Sequence, residues 1–352
     1  MRTLALTLLA VVPLVAGCSN FSYYLQSVEG QLSLLHKRQP IAQVLADPAT
    51  PLPLKSRLGR VAAIRDFASR ELTLPDNQSY RSYADLQRPF VVWNVFATAE
   101  FSIKPEQWCF LVAGCVGYRG YFSQASAQAF AQELRGGGLD VFVGGVPAYS
   151  TLGWFDDPVL NTFVNYPEYE LARLIFHELA HQLVYVKGDS EFNESFATAV
   201  EQEGVRRWIA HAGDERMRAE FERSQQRRAQ FSALVLKYRD ELGALYAMPL
   251  APAAMRSRKA GLFAALTQDY QRLRIEWGGF AGYDRFFAAP NNAALGSIAL
   301  YNTRVPQFQK LLAHHKHNLP AFYSAVKALA ALGTDERALR LGGMAAAGMK
   351  PL

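Results

Sequence analysis

The chain has 352 residues, 50% of them hydrophobic and 19% charged, which excludes a disordered tail protein, a collagen-like fibre and a disulfide-dense miniprotein. The formal charge of +6 is spread over 37 basic and 31 acidic side chains, and no long basic block gathers it, so nucleic acid is not among the expected partners. The short basic stretches, Arg223 to Arg228 and His314 to His317, read as solvated faces or loops.

Met1-Arg2 is a minimal positive leader, and Leu4 to Val15 is an apolar stretch broken by Thr7 and Pro13. It is too short to span a bilayer, which takes ~20 residues, and suits the core of a secretory signal. Leu14-Val15-Ala16-Gly17-Cys18 resembles the lipobox of bacterial lipoproteins, in which a peptidase cuts before the Cys and the thiol carries a diacylglycerol. That resemblance implies a signal peptide over 1–17, a lipidated Cys18 and a soluble chain tethered by its N-terminal lipid anchor. Ser19, where Asp would favour the inner membrane, implies an outer-membrane lipoprotein facing the periplasm. Two thiols remain, Cys109 and Cys115, close together in a chain expected in an oxidising compartment. A disulfide closing a small loop is the expectation, since no further ligands for a zinc knuckle stand nearby.

Residues 18–56 read as a tether and N-terminal helix, with Leu25, Val28, Leu32 and Leu35 at helical spacing and a Pro-punctuated turn or short helix from Pro40 to Pro53. The main domain is expected over 57–352, its β/α part ending near 160. Leu58 to Leu72 is helical. Val91 to Phe96 and Phe101 to Ile103 are β-rich and close enough for a hairpin, and Tyr118 to Phe122 suits another strand. Ser123 caps a helix to Leu134, Gly136-Gly137-Gly138 stops it, and Asp140 to Ser150 alternates as a strand. Tyr166 to Val186 is a central helix. Beyond it lie a long helical stretch, Glu201 to Tyr246, and helices at Ala254 to Trp277, Ala293 to Tyr301, Val305 to His315 and Leu319 to Leu332. The fold class is α+β and mostly helical, with a helical C-terminal half.

The chemistry sits at the joint, in His177-Glu178-Leu179-Ala180-His181. On a helix, i and i+4 share a face, so both imidazoles can converge on one Zn²⁺ while Glu178 serves as general base toward a water. Pro167, Glu168 and Glu170 support a helix start just upstream. Asn193-Glu194-Ser195-Phe196-Ala197 opens a second helix after Lys187-Gly188 and resembles the glutamate-zincin arrangement, which implies Glu194 as third ligand. Glu191 and Glu201 compete for that role, and Thr198 and Glu201 share the side of Glu194 as partners for a ligand.

The chain as a whole resembles a bacterial lipoprotein family of predicted zinc aminopeptidases. The resemblance is carried by Trp93 to Ala97, Cys109 to Cys115, Tyr118 to Phe122, Ala148 to Phe155, His177 to Glu203, Pro290 to Ala293 and Tyr301. It implies a zincin-like fold and zinc-dependent hydrolysis of peptides or unfolded proteins in the periplasm. Aminopeptidase action comes first, with an endopeptidase of envelope quality control or a non-catalytic zinc-containing binding lipoprotein as alternatives. Under that reading Val146 to Trp154 is the edge that pairs with the substrate backbone. Tyr301, with Asn292 and Arg304 nearby, is the candidate to stabilise the oxyanion, against Tyr149, Tyr185 and His211. Asp156, Asp157, Glu168 and Glu170 are the acids near enough in sequence to hold a substrate α-ammonium.

Overall fold

Proline and glycine punctuation divides the chain into short strands followed by long helices. The structure, a computed structural model, describes residue 26 and residues 29–110, 114–148, 150–299 and 304–346. A helical stretch at 29–36 precedes β1 (Gln39–Pro40), α1 (Ile41–Ala46) and α2 (Leu52–Arg70). Next come β2 (Ser82–Ala84), β3 (Val92–Thr98), β4 (Trp108–Phe110), β5 (Gly114–Val116) and β6 (Arg119–Tyr121). They are followed by α3 (Gln124–Gly136), β7 (Asp140–Val146) and β8 (Val159–Leu160). The helical part comprises α4 (Glu168–Leu183), α5 (Ser190–Ala212), α6 (Glu215–Tyr246), α7 (Pro252–Glu276) and α8 (Asp284–Phe287), then α9 (Asn292–Ala299), α10 (Val305–His314), α11 (Leu319–Ala330) and α12 (Thr334–Ala346). The architecture is α+β and mostly helical.

Among the described residues three small sheets form, ordered β1-β2-β8, β6-β3-β7 and β4-β5. Every residue of β3 is buried, and a strand apolar on both faces needs a partner on each edge. It finds them antiparallel in β6 and β7, and the hairpin expected between Val91–Phe96 and Phe101–Ile103 does not form. The chain after β3 turns instead, held by a bridge between Thr98 and Pro105 and by Glu106 N–H donating to Ala97 O at 2.8 Å. β7 stops at Val146 rather than running to Ser150, because Pro147 has no N–H to continue the ladder. It remains the edge of its sheet. The hairpin β4–β5 carries the disulfide, joining Cys109 and Cys115 directly opposite one another.

Helix boundaries follow local chemistry. Ser123 accepts from Ser126 N–H at the start of α3, as its sequence predicts. The expected continuous helix from Glu201 to Tyr246 is broken by Gly213, whose φ of 66° ends α5, and Asp214 then caps α6 by accepting from Met217 N–H. A last helix, α12, lies beyond those expected. The main core gathers residues of α1, α2, α4, α5, α10 and α11. A second, aromatic-rich core lies between α6 and α7 and takes in Phe287 and Leu295; a third packs β3, β6 and β7 on Ala127 and Ala131 of α3. Among the described residues no helix is long and apolar enough to cross a membrane. Residues 1–17, expected as a signal peptide, and Cys18 lie outside the described residues.

Candidate metal centre

The centre forms where α4 and α5 pack side by side. Pro167 caps α4, Glu168 and Glu170 occupy its first turn, and Leu171, Leu174, Ile175 and Leu179 bury one face. Asp189 caps α5 by accepting from Phe192 N–H at 3.1 Å. The tight turn between them is clamped by Asn193, only 2% exposed: its Oδ1 accepts from Val186 N–H and its Nδ2 donates to Val186 O, both at 2.8 Å. Gly204 lets the helices approach, since a Cβ there would stand 2.6 Å from the ring of Phe176.

This packing brings His177, His181 and Glu194 together, with one ligand atom from each lying within 4.8 Å of the others. His177 Nε2 is 3.1 Å from His181 Nε2 and 3.2 Å from Glu194 Oε2, and His181 Nε2 is 3.7 Å from Glu194 Oε1. The edge of a tetrahedron with zinc-like bonds of ~2.0–2.1 Å is about 3.3 Å, so the donor set fits a divalent cation. The other ring nitrogen, His177 Nδ1, donates to Glu201 Oε2 at 2.9 Å. Glu201 is only 2% exposed and is paired with Arg173 at 3.0 Å and Arg228 at 3.7 Å. Those two arginines also hold Glu170, at 2.6 and 3.0 Å.

Burial draws the His177 imidazole down, but hydrogen bonds to Glu194 and Glu201 outweigh it and raise its titration to about 10. Both ring nitrogens thus carry protons in the metal-free protein, and the Nε2 proton sits where a cation would. Burial holds His181 at about 4, a neutral imidazole ready to donate its lone pair. Glu194 is pushed up by burial but brought below the usual carboxylate range by His181 and His177. Burial works against Glu201 too, and Arg173 and His177 bring it down to about 2. Glu178 goes the other way. Burial, aided by Glu194 and Asp157, raises it to about 7 despite the opposing charge of His177. That is the range of a general base.

The competing ligands stand elsewhere. Glu191 pairs with Arg304 at 3.0 Å, and Glu201 backs His177 rather than joining the cluster. His211 lies against Phe67 and Trp208 at the far end of α5, away from the centre. Tyr185 follows α4 half-exposed, within electrostatic reach of Glu194. Tyr301 and Tyr149 lie outside the described residues. Of the four acids considered for a substrate amine, Glu168 is bound by Arg60 and Trp208, Glu170 by the two arginines and Asp157 by Thr151. Arg173 and Arg228 were not singled out from the sequence. Arg173 stands one turn before His177, so its spacing could have flagged it; Arg228 comes from a different helix and carries no local signal.

No curated protein and no solved structure matches the chain. A family model does, over residues 22–341, and the chain belongs to the family described as "Putative aminopeptidase".

Proposed function

We propose that the protein is a zinc-dependent peptidase of the periplasm, acting first as an aminopeptidase. The observation that carries the reading is the convergence of His177, His181 and Glu194 on one point, with Glu178 next to the first of them and titrating near neutrality. His177 and His181 offer neutral nitrogen donors once the His177 proton is displaced, and Glu194 supplies a carboxylate. Zinc, when bound, supplies a Lewis acid that polarises a carbonyl and makes water acidic. Glu178 takes the proton of the attacking water and passes it to the amine that leaves. Glu201 keeps the His177 ring oriented through Nδ1.

The C-terminal end of β7, which is the last strand of its sheet, and the loop after it are where we place an extended peptide backbone; at the other end Val141 O is taken by Asn291 and Arg135. Tyr301 is the proposed oxyanion partner on the sequence resemblance alone. Recognition of a free α-amine falls to Asp156, which alone among those four acids keeps a carboxylate with no described partner. Anchoring at the outer membrane rests on the Leu14-to-Cys18 segment and Ser19.

The test is metal content and cleavage by the chain lacking its first 18 residues, beside Glu178→Gln, on amino-acid amides and N-blocked peptides. The expected result is about one zinc per chain in both, with cleavage by the parent at least about 10²-fold faster than by the variant. A protein that binds no zinc ends the reading; zinc without cleavage of any substrate leaves a binding lipoprotein in its place. Asp156→Asn should raise KM for free-amine substrates about tenfold, the loss of one charge-assisted hydrogen bond, and leave N-blocked peptides unaffected. Equal effects on both would remove Asp156 from amine recognition, and efficient cleavage of N-blocked peptides by the parent would make the enzyme an endopeptidase.

A further inference from the structure

The loop before β2 holds a tyrosine in an unfavourable setting. Tyr80 has a φ of 62°, a left-handed conformation that bulky side chains seldom adopt. It is 1% exposed, and its hydroxyl is buried with no hydrogen-bond partner. Such a hydroxyl costs about 1–3 kcal/mol, and phenylalanine would fill the same space without it. The surroundings over-determine the position. Buried Arg65 donates to Ser79 O at 2.8 Å, Pro75 O at 2.7 Å and Asn77 O at 3.0 Å, and Tyr80 N–H donates to Asp157 O at 2.6 Å. Asn77 Nδ2 donates to Gln182 Oε1 at 2.7 Å, and Gln182 Nε2 donates to Ser79 Oγ at 3.2 Å. Gln182 stands four residues after Glu178 on α4, so the loop is strapped to the helix face that carries Glu178.

Burial keeps the phenol protonated far above the ordinary tyrosine range, and the charges that reinforce this are first Glu178 and then Asp157. Asp157 already has an oxygen on each of two donors, Thr151 N–H and Thr151 Oγ1, both at 2.9 Å. Glu178 makes no hydrogen bond to any described residue. A buried hydroxyl without a partner thus sits next to Ser79 on a loop strapped through Gln182 to the helix that carries Glu178, one turn away.

We infer that Tyr80 is a positioning residue, its hydroxyl donating to the Glu178 carboxylate in the working enzyme and fixing which way that group faces. The inference rests on the reading of Glu178 as the base. It explains why a tyrosine is kept where phenylalanine would be more stable: strain and an unmet hydroxyl are retained at a site of chemistry. Tyr80 is buried, so it would act through Glu178 and not on the substrate.

The test is Tyr80→Phe in the zinc-loaded chain. The expected result is a kcat about 10- to 100-fold lower at unchanged KM and unchanged zinc content, with a Tm of the metal-free protein equal to or above the parent's. A kcat within twofold of the parent overturns the inference. So does a loss accompanied by lower Tm, lost zinc or a raised KM, because the hydroxyl would then be structural or would act on substrate binding. A crystal structure of the zinc-loaded protein reads the same contact without turnover. Tyr80 Oη within about 3 Å of a Glu178 oxygen supports it, and Oη turned to Asp157 or to water refutes it. A parent that cleaves no peptide sinks the peptidase reading, and that structure alone then decides the contact.

Discussion

On the proposed reading, Glu201 separates holding a metal from orienting the group that would hold it. Its carboxylate faces His177 Nδ1 on one side and Arg173 and Arg228 on the other, all in a buried setting. Glu201→Gln keeps the shape and an acceptor but removes the charge that draws the ring. Zinc affinity should fall about 10- to 100-fold in a chelator competition, and an unchanged affinity would show that the imidazole needs no such hold. At this scale the sequence was legible where the chemistry is local. His177, Glu178 and His181 fall within one turn and a residue of a single helix, so their spacing alone places them. Glu194 was read from a short pattern at the next helix start. Glu201 was narrowed to the right side of α5, but whether it ligates or backs a ligand depends on how closely two helices approach. That is set by Gly204 against Phe176, a contact no spacing reveals.

The helix pair α4–α5 is the element on which the centre depends, and Asn193 is its clasp. Both hydrogen bonds to Val186 come from the buried Asn193 amide, so Asn193→Ala leaves the Val186 N–H without its partner, while the Val186 C=O keeps Asp189 N–H at 3.2 Å. The cost should be about 2 kcal/mol, read as a lower urea midpoint at unchanged m, and zinc affinity should fall with it because Glu194 is the next residue. An unchanged midpoint would mean that the turn is held by α4–α5 packing alone. Helices with strong apolar periodicity and clear caps were legible, α3 and α4 most directly. The β part was less so. β3 is apolar on both faces and could not announce that its partners lie 24 or more residues along the chain, in β6 and β7, rather than in the next β-rich run. Gly213 could have been read as the stop of α5, yet the Glu, Arg and Ala richness on both sides masked it.

For the whole molecule, the proposed zinc site would make folding, protonation and metal binding one linked equilibrium. In the metal-free protein His177 holds its second proton up to about 10 because Glu194 and Glu201 face it, whereas in the unfolded chain it would lose that proton near 6.5. A histidine raised in the folded state contributes stability that is fully present below 6.5 and is lost as pH rises through about 10. On the proposed reading a zinc ion held by these residues would have to displace that same proton, while His181, at about 4, and Glu194, below the carboxylate range, have none left to lose near neutrality. Binding should therefore release about one proton per zinc, and the apparent Kd should tighten about tenfold for each pH unit between 6.5 and 9. Each tenfold step adds about 1.4 kcal/mol to the stabilisation by a fixed excess of zinc. The Tm of the metal-free protein should then fall across this range and the gap to the zinc-loaded protein should widen. Thermal scans at pH 6.5, 7.5 and 8.5, with zinc or with a chelator, read both quantities. A gap that stays constant with pH would mean that His177 is already neutral in the metal-free protein, with Glu194 and Glu201 too well solvated to hold its proton.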